Sequence, residues 1–450
     1  MSARTAPTVI YAVLVILIIV AGVVGYFAGQ SAAAGGVTTT TVTETKTVTH
    51  TETKTVTQTV TVTGPAPTTS PSPTPTETTT TPPTTTTTTT PVQLPSKLTF
   101  VEIGKGVHPY WSVVEAGMKM AEKEIEEKYG IEINAIFWTP TREEAALQLQ
   151  GFDTYIAQGV DGIAIAPVDP VSAAPYIEKA IEQGIPVITF DTDAPESARL
   201  CYIGTGNYRA GYLAGTAAYM LAKEKGYIKP GATVKVGIIT ATLAALNAYE
   251  RVQGFKDALM DNAKADPDIQ GNIEFQFIGP YEDKGDPAAA VNFALSILQS
   301  HPDLHIAFGS NAYEGPAWAE ALKQLGYEPG KVVLIEFDVT SDNVPPIQEG
   351  YALVTVGQRE YFMGYYSLWL LFNMTLAKLQ GGTWEDAIKQ FIPDYPENDF
   401  YDTGVDLVGV DHMEFDAPIG EKVVVLSLQE YKQLCIELGI PPELLGLENV

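Results

Sequence analysis

Residues 185–195, Ile-Pro-Val-Ile-Thr-Phe-Asp-Thr-Asp-Ala-Pro, set the tightest limit on what this chain can become. Val187, Ile188, Thr189 and Phe190 form a short continuous run between stretches of helical periodicity. That is the pattern of a central strand in a parallel sheet covered on both faces. The run stops at a carboxylate, Asp191, and the chain breaks at Pro195. In open α/β sheets the loops diverge beyond the carboxyl ends of the strands and leave a crevice for ligands. Asp191 therefore stands either at a ligand or as the cap of the next turn.

The same alternation recurs along the chain from Lys97. Strand patterns at 98–103, 131–137, 162–165 and 187–190 alternate with helical patterns at 112–129, 142–158 and 171–183. A second series follows a short strand near Tyr202, with helices at 208–225, 251–262, 287–299, 318–325 and 362–379. Its strands lie at 234–239, 273–278, 306–308, 332–337 and 353–356. Two tandem α/β units predict two lobes, each a doubly wound parallel sheet, with a cleft between them. The 45% hydrophobic content of the 450 residues is enough to fill cores of that size. Residues 428–438 read as one more amphipathic helix packed on a lobe.

Ahead of the globular part, residues 1–30 read as an N-terminal transmembrane anchor or signal. The uncharged apolar run at 8–28 is long enough to cross a ~30 Å hydrocarbon core, which favours retention. Small residues at 31–34 offer the rival, a peptidase site. Residues 31–96 form a Thr/Pro-rich stalk containing the repeat Thr43-Glu-Thr-Lys-Thr-Val-Thr-His50, Thr51-Glu-Thr-Lys-Thr-Val-Thr-Gln58. Such a segment cannot build a core, and its composition fits an O-glycosylated spacer or an unmodified linker. These features predict a head held outside the cytoplasm at the cell surface, or secreted if the helix is cleaved. With 54 acidic against 27 basic residues the surface is acidic, which argues against a nucleic-acid partner. Acidity plus a threonine-rich stalk is the composition of an archaeal surface protein. Cys201 and Cys435 are too few for a disulfide framework or a zinc site.

Several motifs fail as chemistry. Gly204-Thr-Gly206-Asn-Tyr-Arg-Ala-Gly211 has the wrong spacing for a dinucleotide fingerprint. His301 and His305 flank Pro302, which breaks the helix a metal pair would need. Nothing supplies an activated nucleophile or an oriented base, so neither an enzyme nor a cofactor is expected. What remains is a polar or aromatic group at nearly every strand end: His108, Tyr110 and Trp111, then Asp169, Asp191, Thr192, Asn247, Arg251, Tyr281, Asn311, Asp338 and Gln358. A single strand-end Asp or Asn is most often a helix N-cap. A ring of them suggests sugar recognition, because Asp, Asn, Arg and Gln can each engage two neighbouring hydroxyls while a C–H face packs on an aromatic ring.

At this point the chain resembles the type I periplasmic binding proteins of sugar importers, the ribose-binding-like group. The resemblance covers about 97–411. It rests on His108-Pro-Tyr-Trp111 with Gly117, Val160-Asp-Gly-Ile-Ala-Ile-Ala-Pro-Val-Asp169, Gly184-Ile-Pro-Val-Ile-Thr-Phe-Asp191 and Tyr202-Ile-Gly204 with Asn207. Glu250-Arg-Val-Gln-Gly-Phe255, Ile335-Glu-Phe-Asp338 and Asp402-Thr-Gly-Val405 complete it. It implies ligand contacts from His108, Tyr110, Trp111, Asp191, Asn247, Tyr281, Asn311, Asp338 and Gln358. It also implies a three-crossover hinge near 204–207, 358–360 and 403–410. The solute-binding head would be 97–450, with lobe 1 at about 97–205 and 359–403 and lobe 2 at about 206–358 and 404–450. Thr192 and Tyr249 stand where ribose-binding relatives carry arginines, which argues against ribose itself. The implied partners are a monosaccharide (pentose, hexose or polyol) and an ABC permease in the membrane, with a monomeric head. The alternatives are a nucleoside or autoinducer-type receptor of the same fold, and a surface sensor without a transport role.

Overall fold

The computed structural model describes residues 94–450 and, at the level of backbone pairing, two strands of the stalk. Those strands, β1 (Thr40–Val48) and β2 (Glu52–Val60), carry the two copies of the threonine repeat and pair antiparallel as one unit by themselves. The apolar run at 8–28 lies outside the described residues, and among the described residues no helix is long and apolar enough to cross a membrane.

The head contains two sheets. The first is built from β3 (Lys97–Ile103), β4 (Glu132–Trp138), β5 (Gly162–Ile165), β6 (Val187–Phe190), β7 (Tyr202–Gly204) and β13 (Phe400–Asp402), all parallel, in the order β13-β7-β6-β5-β3-β4. The second contains β8 (Thr233–Thr240), β9 (Glu274–Glu282), β10 (Ile306–Gly309), β11 (Val333–Phe337) and β12 (Ala352–Gly357). To these are added β14 (Asp406–Gly409), β15 (Met413–Asp416) and β16 (Lys422–Ser427), in the order β15-β16-β14-β12-β11-β10-β8-β9. The inner strands β5, β6, β10 and β11 are buried at every position, as strands covered by helices on both faces must be. The chain passes between the sheets three times, between Gly204 and Asn207, between Gly357 and Glu360, and between Asp402 and Asp406.

Two helix pairs seat the residues at the cleft. Helices α1 (Pro109–Tyr129) and α9 (Glu360–Leu379) cross where Gly117 faces the Tyr361 carbonyl and Gly364 faces that of Val114. Helices α4 (Asn207–Glu224) and α5 (Leu246–Ala265) do the same through Gly211 against the Arg251 carbonyl and Gly254 against that of Tyr208. A Cβ at any of these positions would collide with backbone, so the small residues set the approach of the helices. That closeness brings Asn207 and Arg251 together in the second lobe.

The chain beyond β12 is richer than its sequence pattern suggests. β14 to β16 extend the second sheet with two antiparallel pairings, β12 with β14 and β15 with β16. A helix α11 (Leu428–Glu437) with a Ser427/Glu430 capping box follows. Its Tyr431, together with Leu445 and Leu447, packs in one apolar cluster with Val113 of α1 and Tyr361 of α9. Cys201 and Cys435 are both buried and free, with thiols that burial pushes up to about 12.

Candidate functional site

A cleft of about 270 Å³ opens between the carboxyl edges of the two sheets. That is just under the ~300–1,000 Å³ typical of drug-sized sites, so it suits a single small solute rather than a chain of units.

On the first-lobe wall Asp191 is neither a cap nor a free acceptor. Its backbone is left-handed, with φ 56°, whereas an N-cap sits in the extended region. Asp338, at the equivalent end of β11 in the second lobe, has φ 73°. Non-glycine residues in this region carry a backbone cost of order 1–3 kcal/mol and cluster at ligand clamps. Asp191 is held by four donors: Tyr110 O–H on Oδ1 at 2.8 Å, and on Oδ2 Lys105 Nζ at 2.8 Å, Thr192 O–H at 3.0 Å and Asn247 Nδ2 at 3.5 Å. The last crosses from the second lobe. Burial by itself would raise the Asp191 carboxyl, but the charges of Lys105 and Arg251, with hydrogen bonds from Lys105 and Tyr110, hold it below the usual carboxylate range. The Tyr202 hydroxyl fixes the Asp191 carbonyl at 2.9 Å.

The opposite wall is a relay of side chains. The Arg251 guanidinium is buried and spends its N–H groups on Asn207 Oδ1 (2.8 Å), the Ser310 carbonyl (2.9 Å) and Gln358 Oε1, while stacking 4.5 Å from the Phe337 ring centroid. Gln358 Oε1 also accepts from Thr205 O–H at 3.0 Å, and the Gln358 amide nitrogen, Nε2, donates to Asp338 Oδ1. Arg251 thus orients Gln358, and Gln358 orients Asp338 through its Oδ1. Burial raises the Asp338 carboxyl to about 6 against the opposing charge of Arg251. Asn311 Oδ1 accepts from Ala241 N–H and Ser310 O–H, and the residue lines the cleft.

The residues singled out from sequence divide into three groups. His108, Tyr110, Trp111, Asp191, Arg251, Asn311, Asp338 and Gln358 line the cleft. Asn247 and Thr192 are buried behind it, each donating to Asp191. Asp169 and Tyr281 are elsewhere. Asp169 caps helix α3 (Pro170–Glu182), accepting from Val171 and Ser172 N–H with φ −133°, so its strand-end position serves the helix. Tyr281 is 41% exposed and stacks on Phe293 at 5.3 Å, outside the cleft lining. Trp111 is packed edge-on to Tyr110 and Phe190, which makes it floor more than platform. His108 has two duties: Nδ1 caps α1, accepting from Tyr110 N–H at 3.2 Å, and the ring meets Tyr313 of the other lobe at 5.7 Å. Burial lowers its pKa and keeps it neutral. The paired histidines of the second lobe are structural, His301 ending helix α6 (Pro287–Ser300) and His305 Nδ1 accepting from Lys235 N–H.

Several cleft residues are missing from the sequence reading, among them Lys105, Glu143 and Tyr313. Lys105 is the consequential one. Its signal was a cation set between Gly104 and Gly106 directly after a buried strand, and it stands on Asp191, the carboxylate beside Thr192 that lacked a neighbouring arginine. Glu143 and Tyr313 lie on loops after β4 and β10, with no periodicity to mark them.

Comparison with known proteins is consistent with this geometry. A profile described as periplasmic binding protein domain matches residues 103–379. The chain is 27% identical over 256 residues to the D-ribose/D-allose-binding protein of Pseudomonas aeruginosa, covering 55% of this chain and 73% of that protein. Among solved structures it is similar to an ABC transporter solute-binding protein of Burkholderia graminis in complex with D-arabinose, at 28% identity and TM-score 0.57, over 70% of this chain and 97% of the other. GanP, a glucose-galactose binding protein of Geobacillus stearothermophilus, aligns at 28% identity and TM-score 0.56, over 69% and 96%.

Proposed function

The chain belongs to the periplasmic binding protein domain family, a family of binding proteins rather than enzymes, and from that premise we propose that it captures a monosaccharide between its lobes for an ABC-type importer. The observation that carries this reading is the pair of buried aspartates, Asp191 and Asp338, held in left-handed conformation at matching strand ends of the two lobes and presented to one small cleft. A carboxylate accepts from adjacent hydroxyls, and Lys105 and Asn311 add donors on either side. Closure on the solute is a population shift, driven by the solute's preference for the closed arrangement. The closed head then docks on a permease. The N-terminal anchor, the Thr/Pro-rich stalk and a monomeric head outside the cytoplasm belong to the same proposal.

The nucleoside alternative is less well supported. A base needs an open aromatic face in the cleft, whereas Trp111 is 8% exposed and packed against Tyr110 and Phe190, and Tyr281 stands outside the cleft lining. Calorimetric titration of the full chain with pentoses, hexoses, polyols and nucleosides tests the reading. A micromolar monosaccharide supports it; tighter binding of adenosine or guanosine, or no sugar bound at all, overturns it.

A further inference from the structure

At and behind one end of the cleft there are more carboxyl groups than the cations of the site can pair. The cations that line the cleft are already committed: Lys105 to Asp191, Arg142 to Glu144 at 2.7 Å, and Arg251 to Asn207, Ser310 and Gln358 beside Asp338. Against them stand three further carboxylates drawn from both lobes. Glu143 comes from the loop after β4 and reaches across to Gly285 of the other lobe, where a Cβ would lie 2.8 Å from both its Cβ and its Oε2. Asp283, 4% exposed, uses Oδ1 to accept the Gly285 N–H at 2.9 Å, and the Tyr313 hydroxyl is the one donor near its carboxyl besides. Glu314, fully buried, uses Oε2 on the Asn311 N–H, and its Oε1 has no donor. Tyr313, whose hydroxyl neighbours Asp283, completes the group, while Asp286 on the same loop is taken up capping α6. Among the described residues no His, Cys, Asp and Glu are grouped so that they could hold a metal ion.

Buried carboxylate oxygens without donors are costly, and the cost falls when a cation or a proton arrives. We propose that the solute this cleft is tuned to is an amino sugar, with its ammonium group seated at the end formed by Glu143, Gly285 and Tyr313, in front of the buried carboxyls of Asp283 and Glu314. An ammonium brings one positive charge and three N–H donors, where a hydroxyl brings one donor and no charge. This inference rests on the monosaccharide reading above and narrows it. Burial pushes all three carboxyls up, Asp283 to about 8; the charge of Glu143 adds to the rise at Asp283, those of Asp283, Glu143 and Asp338 add to it at Glu314, and at Glu143 Lys105 opposes it while Asp191 adds to it. A cation arriving there at neutral pH therefore displaces protons, which a neutral sugar does not.

The test is calorimetry on the full chain at pH 7 with D-glucosamine and D-galactosamine, their hydroxyl parents D-glucose and D-galactose, and their N-acetyl derivatives. At least one amino sugar should bind tenfold or more tighter than its parent and its N-acetyl form. Repeating the titration in buffers of different ionisation enthalpy should show net proton release for the amino sugar alone, a readout that needs no variant. In Glu143→Gln the ratio of amino-sugar to parent affinity should fall at least fivefold. Parent sugars binding as tightly as amino sugars, absence of proton release, or an unchanged ratio in Glu143→Gln each overturn the proposal while leaving sugar capture standing. Failure of every sugar overturns both.

Discussion

Replacing Lys105 by Met tests the first-lobe half of the site most directly. Lys105 Nζ lies 2.8 Å from Asp191 Oδ2, and each side chain is only 5% exposed, so solvent does little to screen the pair. Truncating one partner of such a pair leaves a buried charge uncompensated, at a cost of about 3–5 kcal/mol. Here Tyr110, Thr192 and Asn247 still donate to the carboxylate, which places the expected loss near the lower end, about 3 kcal/mol at pH 7. The sign with pH follows from the groups involved. Asp191 is held below its ordinary pKa in the folded head, so it contributes stability that is present above the unfolded value and is lost only as pH falls through the lower, folded one. Without Lys105 the dominant influence becomes burial, which raises the carboxyl. Asp191 then protonates on moderate acidification, and the deficit of Lys105→Met narrows between pH 7 and pH 4.5. Adding Asp191→Asn removes both charges and recovers most of the loss at pH 7. Urea unfolding at the two pH values, followed by tryptophan fluorescence, gives the differences. A Lys105→Met protein within 1 kcal/mol of wild type at pH 7, or a double variant less stable than the single one, would refute the buried ion pair.

Other outcomes follow from the same structure. Sugar affinity should fall as pH drops through about 6, where Asp338 takes up its proton, and Asp338→Asn should bind at least tenfold more weakly at pH 7.5 and lose that pH step, as read by titration calorimetry. Asp169→Ala should cost about 1 kcal/mol in urea unfolding as a lost helix cap, with sugar affinity unchanged; a large affinity loss would return Asp169 to the site. Tyr281→Ala should likewise leave affinity within twofold of wild type. Glu102 is fully buried with neither carboxyl oxygen hydrogen-bonded, and burial raises its pKa well above the ordinary value, so its folded form keeps a proton that the unfolded chain loses. Its contribution is therefore intact at acid pH and lost as pH rises through that window, and Glu102→Gln should gain thermal stability at pH 8 relative to pH 5. Equal shifts at both pH values would show that Glu102 is not protonated in the fold.

Much of the architecture is legible in residue order because it depends on local periodicity. The inner strands read as apolar runs since both faces are covered, and β5 and β6 occupy 162–165 and 187–190, as their patterns indicate. Helix ends are displaced by a few residues, as at α5, which starts at Leu246 rather than near Arg251, because capping and tertiary packing decide the first turn. β14 to β16 escaped detection for a different reason. They are short additions at a sheet edge, with exposed and buried positions mixed, and the pairing of β14 with β12 that joins them to the sheet is a long-range choice that no local pattern carries.

From its sequence alone this chain is committed to tandem α/β units, with a polar or charged group at nearly every strand end, because the hydrophobic period and the breaks after each strand leave no other economical burial. Which of those groups face one another is decided only in three dimensions. Asp169 and Asp191 read alike in sequence, each a carboxylate after a buried run. The fold gives one an extended backbone and a helix to cap, and gives the other a left-handed turn, Lys105 from a loop 86 positions earlier and a hydrogen bond from the opposite lobe. The gathering of Glu143, Asp283 and Glu314 is likewise a product of closure between lobes, where residues far apart in the chain share one poorly solvated space and their charges must be met together.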